Sequence, residues 1–219
     1  MTAALERKTA DRQARRQRIQ QAAREVFAEH GYAKTSIEKV ARRASLSVGA
    51  IYLYFRSKED LYISLLEETL SSFSAEFQRI ASHPELAPRA QLESAWRTLV
   101  QWAGTDVEGT RTLRLFAQPN IRKQLSQEVA ETSSARLREI LGALATIVQS
   151  GIHARDYRIG DAGHAAQLLW TVFLGLLAAN DIGANLDLPR QPLNEAARTS
   201  FIALEASLQH SDVSVAEAA

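Results

Sequence analysis

Residues 35–61 read TSIEKVARRASLSVGAIYLYFRSKEDL, and this stretch decides the fold. Apolar residues recur at spacings of three and four on both sides of Ser45, which predicts two short helices joined by a tight turn. Thr35 and Glu38 have the spacing of a capping box at the start of the first helix. Ser47 is the expected N-cap of the second. Two short helices around a tight turn indicate a helix-turn-helix.

The second of these helices carries residues suited to contacting DNA. A helix-turn-helix inserts this helix into the major groove by its N-terminal end. There a glycine permits close approach, a valine packs on a thymine methyl, and a serine or tyrosine reaches a base edge or a phosphate. Side chains at the neighbouring helix ends, with the first helix's N-terminal amides, are placed to hold phosphates. The predicted DNA contacts are Thr35, Ser36, Ser47, Val48, Gly49, Tyr52, Tyr54 and Lys58.

The charge of the chain changes sign just after this stretch. The 219 residues carry a formal net charge of +1, yet residues 1–58 hold 13 Lys and Arg against 5 Asp and Glu. Residues 59–219 hold the other 13 against 20, so a +8 segment precedes a −7 segment. This asymmetry indicates a polyanionic partner for the first part, although a solvated basic face has the same charge. The basic arm Arg7–Arg18 follows a DNA backbone, enters a minor groove or is a disordered solubilising tail.

Composition excludes several classes of protein. The chain is 46% hydrophobic, which is enough for a sizeable core, and without cysteine it has neither disulfides nor thiolate metal sites. Its charged N-terminus lacks the apolar region of a signal peptide, and its longest near-continuous apolar stretch, Leu168–Ala179, is 12 residues, too short to span a bilayer. We therefore expect a cytoplasmic protein without membrane contact. No catalytic, metal-binding or phosphate-loop motif is visible, so we expect no enzyme activity, cofactor or metal.

The rest of the chain has helical periodicity and no alternating strand pattern, which predicts an all-α fold of about nine helices. We expect residues 1–57 to form a three-helix helix-turn-helix domain with a basic N-terminal arm. We expect residues 58–219 to form a helical ligand-binding and dimerisation domain, because they carry surplus apolar and aromatic surface. The tail after Gln209 is expected to fray. The expected helices outside the helix-turn-helix cover residues 11–30, 57–81, 88–103, 106–118, 119–150, 161–182 and 192–209.

Residues 12–65 resemble the DNA-binding domain of TetR-type (TetR/AcrR family) transcriptional regulators. Ser45 departs from the pattern, because the family usually has glycine in the turn. A left-handed serine costs about 1 kcal/mol, so Ser45 either bears that cost or the turn is rearranged. The resemblance rests on the segment Phe27–Tyr32 (FAEHGY) and on Thr35–Ser36, Ala41–Arg42, Ser47, Gly49, Ile51–Tyr52, Tyr54–Phe55 and Ser57–Leu61.

This resemblance implies a ligand-responsive repressor that binds a palindromic operator as a dimer. In the family the last two helices form the dimer interface, here residues 161–182 and 192–209, and their surplus apolar surface agrees with that role. The similarity to fatty-acyl-CoA-responsive members suggests an apolar or acyl-type effector, such as fatty acyl-CoA. The alternatives are a sequence-neutral architectural DNA-binding dimer and a helical lipid-binding protein or enzyme. The candidate effector residues are Phe73, Phe77, Trp96, Trp102, Arg114, Phe116, Trp170 and Phe173.

Overall fold

The computed structural model describes residues 2–83, 85–185 and 191–209, with side chains from residue 5 and up to residue 179 in the middle range. This part of the chain is mostly helical and contains no strand, which confirms the all-α prediction. Its helices are α1 (Thr2–Lys34), α2 (Ile37–Ala44), α3 (Val48–Tyr52), α4 (Lys58–Ser64), α5 (Leu66–Ala81), α6 (Pro88–Thr105), α7 (Val107–Phe116), α8 (Gln127–His153), α9 (Ala162–Asn185) and α10 (Leu193–Gln209), with a 3-10 turn at Ile121–Gln124.

The helices form two compact units. The first combines the chain up to Thr69 with Glu108–Ser133, and the second combines Leu70–Val107 with the described residues from Ser134 onward. The first unit is therefore discontinuous in sequence, whereas the predicted domains, residues 1–57 and 58–219, are each continuous. The boundary between them stays a prediction about function.

The core of the first unit holds the helix-turn-helix together. Side chains from α1, α2 and α3, including Ile19, Val40 and Ile51, are fully buried in one cluster. The carboxylate of Asp60, at the start of α4, is also fully buried. It accepts hydrogen bonds from the backbone N–H of Arg56 (2.8 Å) and from the N–H and hydroxyl of Ser126 (2.8 and 2.9 Å). A buried carboxylate with three donors fixes the start of α4 to the segment before α8.

The second unit packs α6, α9 and α10 together around aromatic side chains. The Trp96 indole N–H on α6 donates to the backbone carbonyl of Ala197 on α10 (3.0 Å). The ring of Tyr157 lies against α8 where Gly151 has no side chain, since a Cβ there would be 2.2 Å from the ring. Both contacts bury large rings against backbone, as a close-packed interior requires.

Several helix boundaries differ from the predictions. The expected helix at 119–150 is wrong at its start, because Asn120 is left-handed (φ 68°) and Leu125 is extended, so α8 begins at Gln127. The expected helix at 57–81 is divided at Leu65 into α4 and α5. The arm is helical from Thr2, which contradicts the disordered-tail alternative. The tail after Gln209 lies outside the described residues.

The apolar stretch near Leu168 belongs to a longer helix than expected. Within α9, Ala162–Ala179 has a mean hydropathy of 1.4, so its length and composition are sufficient to cross a membrane. Within the structure, 44% of that window is buried. A buried core helix has the same length and composition, so this helix is weak support for a membrane span.

Candidate nucleic-acid interface

The turn before α3 is built on a strained serine. Ser45 has left-handed dihedral angles (φ 55°, ψ 47°), and its N–H donates to the carbonyl of Arg42 (3.1 Å). The next N–H, that of Leu46, donates to the carbonyl of Ala41 (2.9 Å). These bonds close α2 as a glycine would close it. Of the two outcomes expected for this turn, Ser45 therefore bears the strain.

The short helix α3 is fixed at its N-terminal end and along its inner side. The Ser47 hydroxyl accepts a hydrogen bond from the N–H of Ala50 (3.1 Å), which caps the helix. On the inner side Ile51 and Phe55 are fully buried in the core of the first unit. The opposite side of α3 therefore faces out in a fixed orientation. Ser47, Gly49 and Tyr52 are all exposed there.

Gly49 and Val48 differ in how freely they face solvent. A Cβ added at Gly49 would meet only the Ser47 hydroxyl oxygen, at 4.0 Å, so the protein itself has no steric need for glycine there. Val48 is half-buried and packs against the core, so only part of its side chain is available to a thymine methyl.

Leu53 is an outward-facing residue that the sequence reasoning missed. Its side chain is 75% exposed and lies next to Tyr52, which is 52% exposed. The signal was available, because burying Ile51 and Phe55 four residues apart turns the two residues after Ile51 outward. The surface of α3 therefore carries two large exposed side chains at its C-terminal end.

The predicted phosphate contact at Thr35 is a structural residue. Thr35 is buried, and its hydroxyl donates to the carbonyls of Gly31 (2.8 Å) and Val26 (3.3 Å) at the end of α1. The predicted Thr35–Glu38 capping box is wrong, because Ser36 is the N-cap of α2. The Ser36 hydroxyl hydrogen-bonds the Glu38 carboxylate and lowers its pKa. Of the two phosphate contacts predicted at this corner, Thr35 is buried and Ser36 is partly exposed.

Lys58 combines a structural role with a surface position. Its ammonium donates to the carbonyls of Tyr32 (3.1 Å) and Thr35 (3.3 Å), and it lies 4.0 Å from the centre of the Tyr32 ring. An ammonium has three donors, so one is left for a phosphate. Burial raises the pKa of the neighbouring Tyr32 hydroxyl, and the hydrogen bond that this hydroxyl donates to Glu59 raises its pKa further. Burial also acts to raise the pKa of Glu59, but hydrogen bonds, first from Tyr32, lower it overall.

Tyr54, another predicted phosphate contact, is half-buried directly after α3. The guanidinium of Arg12 lies 5.7 Å from the centre of its ring, which is within cation–π distance. The structure therefore places a residue of the N-terminal arm beside the end of α3. The sequence pattern gave no indication of this contact, since 42 positions separate the two residues.

The comparison with protein families concerns the helix-turn-helix of the first unit. Residues 19–65 match the model described as bacterial regulatory proteins, tetR family. Over residues 19–65 the chain is therefore similar to the DNA-binding part of tetR-family regulators. The matched segment contains the buried apolar side chains of α1, the turn at Ser45 and the whole of α3.

The relatives of this chain are named as transcriptional regulators or repressors and not as enzymes. The fatty acid metabolism regulator protein of Bacillus subtilis is 29% identical over 133 residues, which cover 59% of this chain and 66% of the relative. The repressor NicS of Pseudomonas putida is 31% identical over 139 residues, 62% of each chain. The chain thus spans less than two thirds of the length of both.

A solved structure shows the same fold along nearly the whole length. The FadR transcriptional regulator from Bacillus subtilis, in complex with stearoyl-CoA, superposes with a TM-score of 0.65. The two chains are 24% identical, and the match covers 87% of this chain and 97% of FadR. At this level of identity the likeness establishes the fold.

The candidate effector residues fall into two groups. Phe73 lies edge-on to Trp102, with ring centres 5.2 Å apart, and Phe173 contacts Trp96, Trp102 and Trp170 at 5.8 to 6.5 Å. With Phe77, which stacks on Phe73, these residues form one aromatic cluster in the second unit. Arg114 and Phe116 belong to the first unit, where Phe116 packs near Leu125.

Within the described part of the chain, no group of three or more His, Cys, Asp or Glu side chains could hold a metal ion.

Proposed function

We propose that this chain is a ligand-responsive transcriptional repressor of the tetR family that binds a palindromic operator as a dimer. The observation that carries the proposal is the outer surface of α3. Ser47, Gly49 and Tyr52 are exposed on a helix whose other side is locked into the core. Exposed large side chains on a rigid surface indicate a partner, and the net charge of +8 in residues 1–58 favours a polyanion. Such a protein acts in the cytoplasm, where bacterial DNA is found.

The proposed contacts divide into base and phosphate contacts. In the major groove, Tyr52 and Ser47 meet base edges, Gly49 permits close approach and Val48 meets a thymine methyl. The phosphate contacts are Ser36, Tyr54 and the third donor of Lys58. Thr35 supports this surface from inside, since its hydroxyl is bonded to α1.

The exposed side of α9 supports dimerisation. Less than half of the apolar window Ala162–Ala179 is buried, and Leu168 is 44% exposed. Thr171 and Gly175, one turn apart on the same exposed side, would allow close approach of a second helix. A second copy of the chain would bury this surface, together with the exposed side of α10, and place two recognition helices on successive major grooves about 34–36 Å apart.

A charge placed on this surface tests the dimer directly. Leu168→Glu should give a monomer in analytical ultracentrifugation, because a carboxylate would be buried between copies. Leu86→Glu is the matched control, because it makes the same change at an exposed leucine outside α9 and α10, and it should leave the dimer intact. A monomeric wild-type protein would overturn the dimer proposal.

The proposed effector is an apolar or acyl-type molecule with an anionic group, and fatty acyl-CoA is such a molecule. An open groove of about 720 Å³ between α6 and α10 is lined by Trp96 and Phe201, with Arg97 and Arg198 among its lining residues. Neither arginine has an ion pair or hydrogen bond within the described part of the chain. The relative named as a fatty acid metabolism regulator, and the stearoyl-CoA bound by FadR, support this ligand class.

Repeated selection of the purified protein on random DNA duplexes tests the central proposal. We expect enrichment of one palindromic sequence bound by two chains, and release of that duplex when palmitoyl-CoA is added. Random sequences after repeated rounds would indicate the architectural alternative. A palindrome that palmitoyl-CoA does not release would leave the operator proposal standing and overturn this effector class.

A further inference from the structure

The N-terminal arm is a helical extension of α1 beyond the core. Residues 5–15 are all exposed, and the first buried side chain of α1 is that of Arg16. Arg16 has partners, since it pairs with Glu67 (3.1 Å) and Glu128 (3.4 Å) and lies over the Phe55 ring. Arg16 therefore anchors the helix where the exposed arm begins.

Three basic residues lie on one side of this arm. Lys8, Arg12 and Arg15 are separated by four and three residues, and a further step of four leads to the buried Ile19. The core-facing side of α1 thus continues as a cationic row past the edge of the core. Lys8 and Arg15 have no acceptor within the described part of the chain, and Arg12 lies over the Tyr54 ring beside the recognition helix.

The helical form decides between the two DNA-binding positions open to the arm. With side chains, an α-helix is about 10–12 Å across, whereas the minor groove of B-DNA is about 6 Å wide. The arm as a helix therefore does not enter a minor groove. Like charges three and four residues apart destabilise a helix, and a row of phosphates would reverse that effect.

We infer that the arm is a second DNA-binding element, in which Lys8, Arg12 and Arg15 contact phosphates of the backbone flanking each operator half-site. The inference rests on the proposed DNA binding. It extends the contact surface from α3 through Tyr54 to the start of the chain, and it adds affinity without sequence preference.

The salt dependence of DNA affinity tests this assignment. Fluorescence anisotropy would compare the wild-type protein with a variant carrying Lys8→Gln, Arg12→Gln and Arg15→Gln, on the duplex enriched by selection and on a shuffled duplex. Each lost phosphate contact should make the slope of log K against log salt less steep by about 0.9, or about 3 for each protomer. A control with Arg79→Gln, Arg138→Gln and Arg155→Gln removes the same charge from exposed residues of the second unit.

The outcomes separate the arm from the proposed function. A reduced slope on both duplexes, with the preference for the selected duplex unchanged, would support the inference. Equal slopes for the arm and control variants would overturn it while leaving the operator proposal intact. The inference would also be overturned if the protein's preference among duplexes changed when flanking A·T pairs were replaced by G·C but not when they were replaced by I·C. That pattern would indicate that the arm reads the minor groove. Absence of DNA binding by the wild-type protein would overturn both.

Discussion

Replacing Gly49 by alanine separates the needs of DNA binding from those of the fold. In the free protein the new Cβ would have only the Ser47 hydroxyl nearby, at 4.0 Å, and Gly49 is exposed within α3. Alanine also restricts the unfolded chain more than glycine does. We therefore expect Gly49→Ala to raise the free energy of unfolding by about 0.5–1 kcal/mol, measured by urea denaturation.

DNA binding should change in the opposite direction. If Gly49 lies against a base pair or the sugar–phosphate backbone, a methyl group there must displace α3 from the groove. We expect the affinity for the selected operator to fall at least tenfold, equivalent to about 1.4 kcal/mol, in fluorescence anisotropy at constant salt. A fall in affinity together with a rise in stability cannot be explained by misfolding.

Gly142→Ala is the matched control for this experiment. Gly142 is an exposed helical glycine in α8 with no atom near its missing Cβ, so alanine should stabilise the protein there too. It should leave DNA affinity unchanged. The reasoning about α3 would be refuted if Gly49→Ala were stabilising and bound the operator as tightly as the wild-type protein.

Four further substitutions test other parts of the account. Ser45→Gly should raise the free energy of unfolding by up to about 1 kcal/mol in urea denaturation, because glycine carries no Cβ penalty at φ 55°; a loss of stability would contradict the strain assigned to this turn. Asp60→Asn should cost about 1–3 kcal/mol by the same measurement, because an amide N–H would face buried donors; a neutral result would mean that the three hydrogen bonds are not needed. Gly151→Ala should lower the thermal midpoint, at a cost of about 1–3 kcal/mol, because its Cβ would overlap the Tyr157 ring; a midpoint as high as that of Gly142→Ala would contradict this packing. Val48→Ala should alter the base preference found by selection, and an unchanged consensus would remove Val48 from the base contacts.

The helix-turn-helix could be predicted from sequence because its determinants are local. The anchors Ile51 and Phe55, the cap Ser47 and the turn at Ser45 act within one or two helical turns of one another. Their spacing alone specifies which side of α3 is buried. The same rule would have found Leu53.

The errors arose where a distant residue competes for a local group. The Thr35 side chain is turned toward α1, where its hydroxyl donates to the carbonyls of Gly31 and Val26, and Ser36 takes the N-cap position of α2. Asp60 binds Ser126, which lies 66 positions away, and no periodicity reports such a pair. Both contacts depend on how helices pack and not on their own sequence.

The effector residues show the same limitation on a larger scale. Helical spacing identified aromatic residues that do meet in the second unit, such as Phe73, Trp102 and Phe173. It also grouped Arg114 and Phe116 with them. These two belong to the first unit because the segment from Glu108 to Ser133 packs with the chain up to Thr69. Sequence order conceals this discontinuity.

The most direct test of the central claim is the ratio of two DNA affinities measured at physiological salt. One duplex carries the palindrome enriched by selection, and the other has the same base composition in shuffled order. An operator-binding repressor should bind the palindrome at least about 10³-fold more tightly, as two chains per duplex. Equal affinity for both duplexes would contradict the account, because charge alone would then explain the binding.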